Sequence, residues 1–520
     1  YSTETDPKKK GSYYLVNSRS DRFDGNLTLA YNKTIDKHML NVGVGSNIMQ
    51  SETEGESFTG VGFINPDMIF IGAANAFQEN TSPQGTYDKS RLVGFFTNVN
   101  YGYGNRYFLD FSFRSDGSSK FGRNSRFAPF WSLGVAWNVH NESFWHAHEK
   151  NALKLRASVG STGTTNFSST QALTTYLYDF SREYNGNFGV SLAGYGNPDL
   201  KWQTTLAYNV GVDFTFLRGL VVFNGDFYIK NTRSLLLPVT VAPSTGFIDY
   251  VENIGKLRNT GVEARLRFNL IQDAVKDLRW NVTLSAFHNR SKITQLSNQL
   301  ETINQYANDD RANQGTVVYR QFEAGRSQTA LMVVRSGGID PATGNEIYIK
   351  RNGEMTFEYN HNDKIECGDM KPKIEGNVNT NLNWKGFNLY MLFKYQYGGK
   401  IYNATLASKV EGANPLKNAD KRVLYDRWKE PGDHAKFRRI DDTSAPYQTT
   451  RLVFDNNLLA LQSVSLSYEL PRKISQKMYM ERVKLLLSST DLFRLSSVKQ
   501  ERGTSYPFAR TFSIGLNVTF

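Results

Sequence analysis

The sequence predicts an all-β protein, a transmembrane antiparallel barrel with about 16 strands in residues 1–520. Three observations lead there. Apolar and polar residues alternate strictly in segments of about ten residues. The connections between those segments alternate between short and very long. Aromatic residues reach 13% in a chain that is only 39% hydrophobic.

The alternation is read most easily in four segments. From Phe127 the odd positions are Phe127, Pro129, Trp131, Leu133, Val135, Trp137 and Val139, while the even ones include Ser132, Gly134, Ala136 and Asn138. Leu206, Tyr208, Val210, Val212, Phe214 and Phe216 alternate with Ala207, Asn209, Gly211, Asp213 and Thr215. Val262, Ala264, Leu266 and Phe268 interleave with Glu263, Arg265, Arg267 and Asn269. The chain ends on Phe512, Ile514, Leu516, Val518 and Phe520, set against Thr511, Ser513, Gly515, Asn517 and Thr519. Such segments are longer than the five or six residues usual in soluble sheets. Near Gln462 the apolar set shifts from Leu459 and Leu461 to Val464, Leu466 and Tyr468, which predicts a β-bulge.

Composition agrees. No run of about 18 apolar residues exists from which a membrane helix could be made. With 28 Tyr and 34 Phe in a chain of mean hydropathy -0.48, the pattern suits strands whose alternate residues face lipid, with aromatic girdles at the interfaces. The single Cys367 cannot close an intrachain disulfide. The net charge of +12 is scattered along the chain, which argues against nucleic acid as a partner. It hints instead at acidic cargo or at contact with outer-membrane lipid and lipopolysaccharide. The opening YSTETDPKKKG has no apolar core, so a signal peptide is expected to have been removed, or these residues to begin inside a longer protein.

The connections set the orientation. Short turns lie near 33–37, 103–105, 217–219, 270–278 and 384–386, with longer ones at 140–150 and 471–480. Long excursions lie near 50–90, 163–203, 233–257, 290–373 and 398–456. Membrane barrels of bacteria keep short turns in the periplasm and long loops outside. The count of about 16 strands on that rule begins and ends the chain on the periplasmic side.

Seven blocks then resemble a known family, in order. They are NPDLKWQ (Asn197–Gln203), YIKNTRSLLL (Tyr228–Leu237), NIGKLRNTGVE (Asn253–Glu263), GGIDPATGN (Gly337–Asn345), GDMKPKIEG (Gly368–Gly376), NWKGFNLYMLFKYQYGGKIYN (Asn383–Asn403) and YPFARTFSIGLNVTF (Tyr506–Phe520). Together they resemble the C-terminal barrel of SusC/RagA-like TonB-dependent outer-membrane transporters. The resemblance implies a plugged barrel of about 22 strands, of which residues 1–520 are the C-terminal portion. It places the N-terminal plug, the first strands and the TonB-binding segment outside this chain. It also implies a SusD-like surface lipoprotein as a lid, and cargo of oligosaccharide or oligopeptide class. Two other readings stand beside active import: a passive porin, since a closed barrel of about 16 strands is one, and a scaffold in a larger outer-membrane assembly.

The candidate residues follow from what such a protein must do. Glu263, Arg265, Arg267, Asp213, Lys154, Arg156, Lys394 and Gln396 fall on the polar faces and suit a hydrated lumen. Tyr176, Tyr178, Tyr184, Phe188 and Tyr195, with Phe180, crowd one long excursion and are candidates for substrate contact, because aromatic faces stack on sugar rings and pack on peptide side chains. Leu235, Leu236 and Leu237 form an apolar run in the next excursion and, with Phe247, are candidates for contact with the lid. His146 and His148 read as interfacial structure, not metal ligands. The carboxylates in Asp340–Glu346 and at Asp363, Glu366 and Asp369 could hold a structural calcium, although they lack the EF-hand order. GSSKFGRNS (Gly117–Ser125) lacks the phosphate-loop spacing and is expected to be a hairpin loop. No catalytic triad signature is present, so no enzyme is expected.

Overall fold

A computed structural model describes residues 11–520 apart from 64, 66, 68–69, 79–82, 148, 165–171, 186, 241–248, 254, 297–322, 415, 417–419, 443, 445 and 499–508. Fifteen strands follow one another in a single antiparallel path. They are β1 (Ser12–Ile35), β2 (His38–Val61), β3 (Gln84–Tyr103), β4 (Tyr107–Ser118), β5 (Phe127–Asn138), β6 (Ala152–Thr164), β7 (Gln203–Phe216), β8 (Val221–Arg233), β9 (Lys256–Asp273), β10 (Leu278–Gln295), β11 (Ile374–Trp384), β12 (Phe387–Tyr397), β13 (Leu458–Glu469), β14 (Arg482–Ser496) and β15 (Thr511–Thr519). A sixteenth strand, the two residues Ala76–Phe77, pairs with the end of β2 off this path.

The register explains why the alternation is so regular. Residues opposite one another in antiparallel strands share a face, so one rung of the ladder can be followed around the wall. Leu153, Phe214, Phe223, Leu266, Leu284, Val378, Phe393, Leu461 and Phe493 make an apolar rung across nine strands. The rung beside it, on the other face, reads Lys154, Asp213, Asn224, Arg265, Ser285, Asn377 and Lys394. One face is built for hydrocarbon and the other for water. That is the cross-section of a membrane barrel wall.

Two expectations change on contact with the structure and a third holds. An odd number of crossing strands means that β1 starts at the long-loop end and β15 finishes at the short-turn end. The first described strand therefore enters from the long-loop end and not from the periplasmic side, because the sixteenth strand is too short to cross. The first long excursion contracts from 50–90 to 62–83, since β2 and β3 run on for 24 and 20 residues. Their upper ends carry no apolar alternation: Gln50, Glu52 and Glu54 pair with Arg91, Lys89 and Tyr87, polar against polar. The expected bulge is present, as a register shift between Leu461 and Ser463.

The two end strands differ from the rest. Leu27 and Leu29 on β1 are each 74% exposed and Ile514 on β15 is 79% exposed, against 38% for Leu133 within the wall. Among the described residues no pairing joins β1 to β15.

The excursions after β10 and β12 do not stay open. They fold together into a compact cap at the long-loop end. Its four-stranded sheet runs in the order Met355–Thr356, Glu346–Ile349, Ala330–Ile339, Lys364–Asp369. A second ladder joins Lys400–Tyr402 to Val453–Asp455, tying one excursion's start to its end. Leu331, Val333, Tyr402, Ala407 and Leu452 form the cap's apolar core, with Cys367, Met370, Leu406 and Val453 packed against it.

Candidate functional site

The mouth of the barrel at the long-loop end is latched by contacts between successive loops. Phe121, in the loop after β4, is buried and stacks on Trp202 at 4.2 Å. Phe130 meets the same indole edge-on at 5.2 Å. The indole N–H donates to the Arg126 carbonyl at 3.0 Å. Gly122 allows the approach, because a Cβ there would lie 2.0 Å from the Pro198 carbonyl oxygen. Asn253, from the following excursion, accepts from the Lys201 N–H and donates back to the Lys201 carbonyl, both at 2.7 Å. The expected hairpin loop at Gly117–Ser125 is thus present, and the NPDLKWQ and NIGKLRNTGVE blocks meet at its side.

The lumen face carries its own ion cluster. Arg156 on β6 reaches Asp213 with two hydrogen bonds, at 2.9 and 3.1 Å, and Asp226 with one at 3.1 Å. Asn224 adds a bond to Asp213 at 2.8 Å. Gly211 lies beneath the guanidinium, and a Cβ there would fall 2.6 Å from an Asp226 oxygen and 2.8 Å from the Arg156 carbon. Arg265 and Lys394 share a rung with Asp213, and Gln396 turns to the Asn456 carbonyl at 3.1 Å. Mixed charges, part paired and part open, make this face of the wall suited to water.

The cap hides a second cluster. Glu346 and Glu411 are fully buried. Arg451 bridges them, at 2.9 Å to Glu346 and 2.6 Å to Glu411. Arg438 adds a bond to Glu411 at 3.1 Å and to Asp442 at 2.5 Å. Thr449 donates to Glu346 at 2.6 Å. Burial works against the charge on Arg451, but the two carboxylates outweigh it and its pKa is raised. Arg427 is different: it donates to the carbonyls of Val423, Val410, Glu411 and Arg438, and burial lowers its pKa. Buried charges of this kind persist only when every hydrogen-bonding position is met, and these nearly all are.

The candidates named from sequence fall as follows. Tyr176 is 64% exposed on a hairpin of Thr175–Tyr184 with Asn187–Gly194 at the mouth, and Tyr195, 51% exposed, follows that hairpin directly. Tyr178, Phe180, Tyr184 and Phe188 belong to the same hairpin, and their side chains lie outside the described residues. Leu235 is half-buried, and Leu236 and Leu237 open a second hairpin, Leu236–Thr240 with Asp249–Asn253. The side chains of Leu236 and Leu237, and all of Phe247, lie outside the described residues.

His146 bonds the Phe144 carbonyl at 2.7 Å, and His148 is outside the described residues. The Asp340 carboxylate accepts from Thr343 at 2.6 Å, Glu366 pairs with Arg326 at 3.1 Å, and Asp369 accepts from Thr329 at 2.6 Å. Among the described residues no group of three or more His, Cys, Asp or Glu is placed to hold a metal ion.

One group escaped the sequence reading. Tyr359 and Tyr447 stack at 4.1 Å with planes 5° apart, and Tyr348 stands edge-on to both. They come from the two different cap excursions, so no local pattern joins them.

Known proteins can be set beside this geometry. The family model described as TonB dependent receptor-like, beta-barrel matches residues 1–338. TonB-dependent receptor P3 of Formosa agariphila is 26% identical over 95% of this chain and 52% of its own. TonB-dependent receptor SusC of Bacteroides thetaiotaomicron is 27% identical over 62% of this chain and 32% of its own. Among solved structures, the RagAB peptide transporter superposes with a TM-score of 0.84 at 22% identity, over 98% of this chain and 56% of that one. The chain spans about half the length of the curated relatives it matches in full.

Proposed function

The chain belongs to the TonB dependent receptor-like β-barrel family of the outer membrane, and from that premise we propose that it is the greater part of the barrel of an energised importer. The cargo in this reading is oligosaccharide or oligopeptide. A SusD-like surface lipoprotein closes the mouth from outside. The remainder of the protein supplies the first strands, a plug in the lumen and the segment that TonB pulls.

The observation that carries the reading is the pairing of the two rungs, apolar toward lipid and charged toward the lumen, beneath a mouth crowded with built loops. The half-length match to the relatives supports a missing plug and missing strands. So do the uncovered edges of β1 and β15, since an exposed sheet edge cannot remain in hydrocarbon. Exposed Tyr176 and Tyr195 supply aromatic faces at the entrance for sugar rings or side chains. The name of the RagAB transporter supports peptide, and the family resemblance keeps oligosaccharide open beside it. The relatives are receptors and transporters, and no enzymatic activity is proposed.

The test is uptake of labelled oligosaccharide and oligopeptide pools by cells that make the whole protein, with and without a protonophore. Energised import is expected to stop when the proton gradient is removed, and a surface lipoprotein to co-purify. Uptake that continues without the gradient sinks import and favours the porin. Absence of uptake together with stable capture in a large assembly favours the scaffold.

A further inference from the structure

Five cations stand together on the lipid-facing side of the wall, just above its apolar part. They are Arg233 on β8, Lys256 and Arg258 on β9, and Arg290 and Lys292 on β10, and all five are exposed. The face is fixed by register. Arg233 is opposite Lys256 and Arg258 is opposite Lys292, whereas the residues between them, Thr232, Leu257, Ser291 and Ile293, are buried on the inner side. Below the patch, the same outward column on β8 runs from Phe223 through Phe227 to Ile229, and on β9 it includes Leu266 and Val262. From Val221 to Arg233 the strand runs roughly 40 Å at about 3.3 Å per residue, which a tilt of about 40° reduces to about 30 Å of height, just past an apolar belt about 25 Å tall. The cations therefore lie at the level of the headgroups.

Like charges directly opposite one another destabilise a sheet, and this patch holds two such pairs. Among the described residues no carboxylate answers them. The one polar contact is from Arg258 to Asn231 at 2.8 Å. The corresponding part of β2 and β3 is built otherwise. There Lys89 pairs with Glu52 at 2.8 Å, Tyr87 donates to the same carboxylate at 2.6 Å, and Arg91 donates to Gln50 at 3.0 Å. One sector sets a carboxylate, Glu52, among its cations, and the other leaves them for an anion from outside. Guanidinium groups favour phosphate, which they bind through two parallel hydrogen bonds.

We infer that the outward face of β8–β10 binds a phosphate-bearing lipid headgroup of the outer leaflet, held by Arg233, Lys256, Arg258, Arg290 and Lys292. The inference rests on the barrel and its orientation, not on the cargo. A lipid occupies this face because the site is continuous with the lipid-facing belt, where the acyl chains of the same molecule would lie. The basic stems add apolar length toward that belt.

The experiment uses the whole protein, purified in detergent and exchanged into micelles doped with lipid A or with its dephosphorylated form. Retained lipid is counted by native mass spectrometry. The wild type is expected to retain the phosphorylated form at least about tenfold better, and R258Q/R290Q/K292Q to lose about tenfold of that retention. K89Q/R91Q, in the internally paired sector, is expected to retain it like wild type. Equal retention of both lipids by the wild type overturns the inference. So does unchanged retention in the triple variant, or displacement of the lipid by an acidic protein bound through the same five side chains. Should the triple variant fail to fold, the wild type decides the question alone. High salt must then release lipid A while leaving the dephosphorylated form in place, and retention of lipid A in high salt overturns the inference.

Discussion

The wall and the cap of this protein are stable for opposite reasons. In the wall every strand from β2 to β14 is paired on both sides, yet large side chains such as Phe111, Leu133 and Leu284 stay more than a third exposed. Lipid covers them, so the wall has no core of its own on that face. The cap is the reverse: Leu331, Val333, Val334, Ala407, Val410 and Thr449 are fully buried, and a charged cluster sits among them. The wall is an alternating pattern completed by the membrane, while the cap is a small soluble-like domain completed by its own side chains. Damage should therefore stay on the side where it is made.

The sharpest break of that comparison is Glu411→Ala. It leaves Arg438, which is buried, and Arg451, which is nearly so, with one carboxylate partner fewer each. Removing one member of a buried ionic group costs about 3–5 kcal/mol, which should open the cap while the wall remains intact. Cys367 reports the opening. Burial pushes its thiol up to about 11, so in the closed cap alkylation at pH 8 is slow and keeps rising with pH. In an open cap the thiol returns to about 8.5 and reacts readily at pH 8. The linkage has the matching sign: above about pH 9 the unfolded segment loses a proton that the folded one keeps, so cap stability falls as pH rises toward 11. If Cys367 in the variant is as slow as in the wild type, the cap does not depend on its buried charges.

Trp202→Ala acts at the seam between wall and loops. It empties the space between Phe121 and Phe130 and strands the Arg126 carbonyl. A buried Trp→Ala change costs about 3–5 kcal/mol, and the lower end is expected here because one side of the site opens to the mouth. Limited proteolysis should find new cuts in 119–126 and 197–203 with the cap unaffected. Cuts that spread into the cap would show that the two regions are coupled.

These two regions differ just as much in how far their residues announce them. The wall was legible because period-two alternation is a local signal, repeated strand after strand, and even the bulge at Gln462 left its mark. The upper ends of β2 and β3 were missed because they are polar on both faces, charged residues such as Glu52 and Glu54 alternating with Ser51, Thr53 and Gly55 instead of apolar with polar. The cap was invisible for a different reason. Glu346, Glu411, Arg438 and Arg451 lie on both excursions, so their contacts are set by folding at long range. Nothing adjacent to any one of them announces a buried role, and the Tyr348, Tyr359 and Tyr447 cluster is hidden in the same way. Arg156 with Asp213 was half legible: the residues were named for the lumen face, but the Asp226 arm and the need for Gly211 came only from register.

Gly211→Ala tests the wall where it is tightest. The added methyl must push Arg156 away from Asp226, and overpacking of this sort costs about 1–3 kcal/mol. The loss should appear as a lower urea midpoint for the barrel, with Cys367 still slow to react. A midpoint equal to wild type would mean that the Arg156 cluster is free to shift and does not stiffen the lumen.

The smallest change to stability should be the largest to function. Tyr176 and Tyr195 are exposed and lie outside the wall's strands, and exposed positions of that kind tolerate substitution within about 0.5 kcal/mol. Tyr176→Ala and Tyr195→Ala are therefore expected to leave the urea midpoint and Cys367 alkylation at wild-type values. If the hairpin takes cargo, loss of one stacking face worth about 1 kcal/mol should weaken oligosaccharide or oligopeptide binding by about fivefold. Titration of each variant with both cargo classes separates the possibilities. A drop for one class alone names the cargo. A drop for neither, with stability unchanged, removes this hairpin from the binding surface and leaves the cap's tyrosines as the aromatic face to test next.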